Sequence, residues 1–98
     1  MEGHASISPE VIARYASDAA LEVDGVRRLV ERQLPWHRGV RIASTEAGAV
    51  TIELHVSLEW GAAFVDVGRV VQERVAGYLA RMADLQPERV DVLVDEIG

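Results

Sequence analysis

Glu53, His55, Ser57 and Glu59 stand at every second position of one stretch of the chain, and together they offer acids, a base and a nucleophile. Acyl transfer would need the serine hydroxyl bonded to the imidazole, and the imidazole oriented by a carboxylate. The spacing argues against that use. Side chains two apart on a strand are separated by about 6.5–7 Å along the backbone, beyond the reach of a Ser–His hydrogen bond. A row of polar groups on a water-facing strand surface fits the pattern better. On that reading, replacing His55 or Ser57 by alanine is expected to leave stability and function nearly unchanged. His4, His37 and His55 lack the i, i+4 spacing of helical metal ligands, and the chain contains no cysteine, so no metal site is expected. Neither GxGxxG nor a Walker pattern occurs, and no cofactor is expected.

A second group of residues carries charge instead of chemistry. Arg27, Arg28, Arg32, Arg38 and Arg41 fall in one short stretch opposed by Glu31 alone, although the whole chain has 10 basic and 16 acidic residues and a net charge of −6. With Trp36 among them, these arginines suit anionic lipid headgroups or an acidic partner segment. Arg27, Arg28, Arg32, Trp36 and Arg38 are therefore the candidate partner-binding residues. The plainer alternative is a solvated, charged loop. A chain this acidic repels nucleic-acid phosphates. A KH-like RNA-binding module is the runner-up on element order, but the GXXG loop that clamps the RNA backbone is absent.

Ser8-Pro9-Glu10 is a strong helix start: a hydroxyl to cap a free N–H, an imino residue where no donor is needed, and an acid at the positive end of the dipole. Val11, Ile12, Tyr15, Ala16, Ala19, Ala20 and Val23 then recur at helical spacing, and Gly25 ends the run. The alanines at the centre of that stripe permit close approach to a sheet or to another helix. His4 to Ile7 is read as a short strand before the helix. Residues 26–39 are expected to be a partly ordered connector with at most one or two helical turns, closed by Pro35 and Gly39.

Val50, Ile52, Leu54, Val56, Leu58 and Trp60 alternate with polar residues as one long half-buried strand, and Val40 to Ala43 is its expected hairpin partner. Its polar side is expected to face water. Val65 onward returns to helical spacing through Met82, Pro87 blocks continuation, and Val90, Val92 and Val94 mark a closing strand. The expected core comprises Ile52, Leu54, Val56, Leu58, Val71, Val75, Leu79, Val92 and Val94, with Ile12, Tyr15 and Ala19 closing it. The order (β)αββαβ implies an α+β two-layer sandwich with both helices on one face of a small mixed sheet. At 98 residues a single domain, 1–98, is expected. No apolar run is long enough to span a bilayer and no signal segment is visible, which makes the cytoplasm the default location.

Several segments, in order, resemble the alkaline shock protein family of bacterial envelope stress proteins: Ile7-Ser8-Pro9-Glu10-Val11-Ile12, Ala19 through Val26, Leu58-Glu59-Trp60-Gly61, Val71-Gln72-Glu73-Arg74-Val75 and Val90 through Val94. The absence of lysine and asparagine, with arginine throughout, fits a GC-rich bacterial source. The resemblance implies a non-enzymatic protein of envelope homeostasis that self-associates as a homo-oligomer and is held at the membrane by a small anchor protein. It differs from the family in two places. Ala63 and Val65 stand where prolines are common, and Trp36-His37-Arg38 replaces a glycine-rich stretch.

Overall fold

The computed structural model describes residues 8–31 and 38–98. The strand expected at residues 4–7, together with Arg32 and Trp36, lies outside them. Helix α1 spans Pro9–Leu21, and the Val11 N–H donates to Ser8 Oγ at 3.2 Å, as the cap sequence requires. Strands β1 (Val26–Leu29), β2 (Val40–Ser44) and β3 (Val50–Leu58) follow, then helix α2 (Phe64–Ala83) and strand β4 (Arg89–Ile97).

β3 is central. β1 and β2 both run antiparallel along one side of it, end to end, and β4 lies parallel on the other side, so the sheet is mixed. Joining the parallel strands β3 and β4 takes a crossover, which α2 supplies. Tyr15 meets Tyr78 edge-on with centroids 5.8 Å apart, and Arg74 reaches Glu22, so the two helices run antiparallel over one sheet face.

Residues 26–29 differ from the expected connector. They form β1, with Val26 and Leu29 buried, and the Val30 N–H continues the ladder by donating to His55 O at 2.8 Å. Gly39 resumes it, its carbonyl accepting from the His55 N–H. The broken edge closes so tightly that a Cβ on Gly39 would sit 2.6 Å from the Val30 carbonyl oxygen, and φ is +77° there. Glycine alone fits that backbone.

Leu54, Val56, Val71, Val75 and Leu79 are each 0% exposed, as are Ala13, Ala16 and Ala20 on the facing side of α1. The alanine stripe therefore packs inside its own chain. Val92, Val94 and Tyr15 border this core as part-buried residues and do not lie within it. Trp60 departs from its expected place on the apolar face of β3. The strand ends at Leu58, the Glu59 N–H turns to Gly25 O, and Trp60 is 85% exposed.

Candidate functional site

The face of β3 away from the helices carries Glu53, His55 and Ser57 and is dry at His55 and Ser57, whereas Glu59 lies beyond the end of the strand and is exposed. His55 is 7% exposed and Ser57 is 0% exposed, which corrects the expectation of a solvated row. Neighbouring strands supply the cover. In register, Glu53 lies between Arg41 and Asp91, and Ser57 lies between Arg28 and Glu96. An ion pair joins Arg28 Nη2 to Glu96 Oε1, and so passes across Ser57 from the strands on either side of it.

His55 is held from both sides of its ring. Nδ1 lies 2.8 Å from Asp95 Oδ2 and Nε2 lies 2.9 Å from Glu53 Oε2. Carboxylate oxygens only accept, so the ring serves both when each nitrogen carries its proton. Glu53 is two residues from His55, and its longer side chain spans the gap that a serine cannot. The spacing argument therefore holds for Ser57 and fails for Glu53. Asp95 arrives by a different route. The β3–β4 register shifts between Val56 and Ser57, passing from Val94 to Glu96, and the extra residue is Asp95. Such a bulge re-aims a side chain, here onto His55. The consecutive acids Asp95-Glu96, which break the alternation of β4, are the sequence signal that marks it.

These contacts decide what the site does chemically. A nucleophile needs a base within hydrogen-bond distance and a space for substrate. Ser57 Oγ has no hydrogen-bond partner among the described residues, and the His55 nitrogens face two carboxylates. Those carboxylates lie on opposite sides of the ring and do not converge. Among the described residues no three His, Cys, Asp or Glu side chains are grouped to hold a metal ion. A depression of about 300 Å³ where α1 ends against α2 is lined by Glu22, Val23, Asp24, Asp66, Val67, Val70 and Arg74. It lacks serine, threonine and histidine.

Of the basic residues, Arg27 and Arg28 lie exposed on β1, and Arg38 is exposed at φ +55° two residues before β2. Arg28 is engaged with Glu96, a contact between residues 68 positions apart that sequence reasoning had no means to anticipate. The apolar surface gathers elsewhere. Trp60 and Val65 are 85% and 82% exposed, and Phe64 lies between them in the chain at 47%. No helix among the described residues is long and apolar enough to cross a membrane.

Comparison with known proteins adds three findings. The chain matches the alkaline shock protein 23 family, described by a cell envelope-related function, over residues 1–98. Protein YqhY of Bacillus subtilis is 30% identical over 100 residues, covering 92% of this chain and 73% of its own length. Protein Spy1535 of Streptococcus pyogenes is 26% identical over 102 residues, covering 97% and 79%. Among solved structures, a nickel form of the MamM CTD superposes with a TM-score of 0.65 at 17% identity, covering 89% of this chain and 96% of that one. A manganese form of the same domain gives 0.57 at 17% identity, covering 91% and 99%. At that identity the likeness is one of fold.

Proposed function

Because the chain belongs to the alkaline shock protein 23 family, whose function is related to the cell envelope, we propose that it is a non-catalytic scaffold of the envelope stress response. In this reading it works by self-association and by recruitment to a membrane-anchor partner, and it stays on the cytoplasmic side. The observation that carries the proposal is the engagement of His55 by two carboxylates beside a buried Ser57: the imidazole ties β3 to β4, and the hydroxyl is shut away from solvent and from any base. Large apolar side chains left in water at Trp60 and Val65 support a protein that acts by contact.

Recruitment is assigned to Arg27, Arg28, Arg32, Trp36 and Arg38, whose residue types, four basic and one aromatic, suit an acidic partner segment. An arginine near an anionic surface contributes about 1 kcal/mol. Changing Arg27, Arg28, Arg32 and Arg38 together to serine should therefore weaken sedimentation with envelope membranes by more than about tenfold and flatten its salt dependence, with oligomer size unaltered. Arg28→Ser also breaks the pair with Glu96, so the triple variant that keeps Arg28 separates recruitment from folding. Unchanged sedimentation of both variants would leave these arginines as charged side chains with no part in recruitment.

A further inference from the structure

β4 is the longest open edge of the sheet among the described residues. It pairs with β3 alone and runs nine residues without a proline. His55 directs its N–H and C=O to Gly39 and Val30, so the backbone groups of the even-numbered residues of β3 face β4. In the Ile52↔Val90 register they bond to Arg89, Asp91 and Leu93, which turns the N–H and C=O groups of Val90, Val92 and Val94 outward, the Val90 carbonyl accepting from Gln72 Nε2. The opposite edge is built differently. β1 and β2 are two separate strands of four and five residues that share that edge. Short, interrupted edges resist pairing, whereas a long continuous one is a template for another strand. The surface most suited to receive β4 is therefore β4 of a second copy, which makes the contact isologous.

We propose that two copies pair their β4 strands antiparallel about a two-fold axis through Val92, joining two sheets into one. The proposal rests on the self-association reading above and names its surface. A two-fold axis normal to the sheet keeps like faces together only when it passes through a residue. The regular β4 register runs from Val90 to Val94 before the bulge at Asp95, and Val92 is its centre. With the axis there, Val90 faces the partner's Val94 and Val92 faces the partner's Val92. Val92 and Val94 are only part-buried in the single chain, and pairing completes their cover. The outward backbone groups of Val90, Val92 and Val94 meet the partner's Val94, Val92 and Val90, and Arg89 lies opposite the partner's Asp95. Moving the axis to Leu93 sets Asp91 against the partner's Asp95, a like-charge pair that opposes association. Moving it to Asp91 sets Asp95 against the partner's Pro87 and loses the charge match.

The chain has no cysteine, so Val92→Cys introduces a single thiol. Side chains directly opposite in an antiparallel pair have Cβ atoms about 4.5–5.5 Å apart, near the span of a disulfide. In a glutathione redox buffer, Val92→Cys is expected to cross-link between chains about tenfold faster than Leu93→Cys, which projects from the other face one step from the axis. Val92→Pro deletes an outward N–H without touching the β3 ladder, so it should weaken the dimer by about tenfold in sedimentation equilibrium while leaving the circular dichroism of the monomer unchanged. If that variant fails to fold, Arg89→Glu, which places an acid against the partner's Asp95, must weaken the dimer instead. A wild-type dimer that survives these edge variants, or that cross-links fastest at Leu93→Cys, overturns the proposed pairing and leaves self-association standing. A wild-type chain that stays monomeric at high micromolar concentration overturns both.

Discussion

Leu54→Ala is expected to cost about 2–5 kcal/mol of folding free energy. Leu54 is 0% exposed at the middle of the central strand, paired with Val40 on one side and Val92 on the other. Its neighbours on the same face, Ile52 and Val56, are as deeply buried, and the fully buried Val71, Val75 and Leu79 of α2 belong to the same cluster. A site enclosed by strands on both sides and helices above collapses little when three carbons are removed, so the cavity remains and its cost adds to the lost transfer energy. Urea denaturation read at constant m-value checks this. A loss below about 0.5 kcal/mol, the scale of a surface change, would place Leu54 outside the core.

His55→Ala is expected to destabilise the fold by about 1–3 kcal/mol, against the near-neutral change that a wet strand face implies. The imidazole side chain is 9% exposed, and its removal leaves Glu53 and Asp95 without their shared donor and with like charges across the gap. Breaking a fully buried pair costs about 3–5 kcal/mol, and the smaller figure here reflects the water that still reaches Glu53 and Asp95, at 29% and 16% exposure. His55→Gln keeps one donor and should recover part of the loss. If His55→Ala denatures with the wild-type midpoint, the network is a surface feature with no structural weight.

The sequence made the local devices legible and left the long-range ones hidden. Ser8, Pro9 and Glu10 announce α1 because capping depends on residues a few positions away. The alternation from Val50 to Leu58 announces β3 because one face is buried along its whole length. β1 was missed because Val26-Arg27-Arg28-Leu29 has no alternation of its own; its extended form depends on a ladder with Ser57 and Val56 nearly 30 positions on. The polar side of β3 was misread for a related reason. Periodicity tells which residues share a face, whereas the cover over Ser57 comes from Arg28 and Glu96 on two other strands, and the grip on His55 depends on a bulge in β4. Trp60 keeps the alternating pattern, but it sits inside the turn that the Ala62 N–H closes on Glu59 O, with Gly61 next at φ +88°, and so lies off the sheet.

The claim that the polar face of β3 performs no chemistry is tested most directly at Ser57. It carries the hydroxyl next to His55 on this face of the strand, it is 0% exposed, and its Oγ has no hydrogen-bond partner among the described residues. Removing a buried, unsatisfied hydroxyl relieves a desolvation cost at the expense of a very small void, so Ser57→Ala should change stability by no more than about 1 kcal/mol, in either direction. The decisive measurement pairs the urea midpoint of Ser57→Ala with its sedimentation on envelope membranes and its oligomer size. The scaffold account predicts wild-type values for recruitment and assembly. A variant that folds as stably as the wild type yet loses recruitment or envelope function would contradict it and show that the hydroxyl does chemical work.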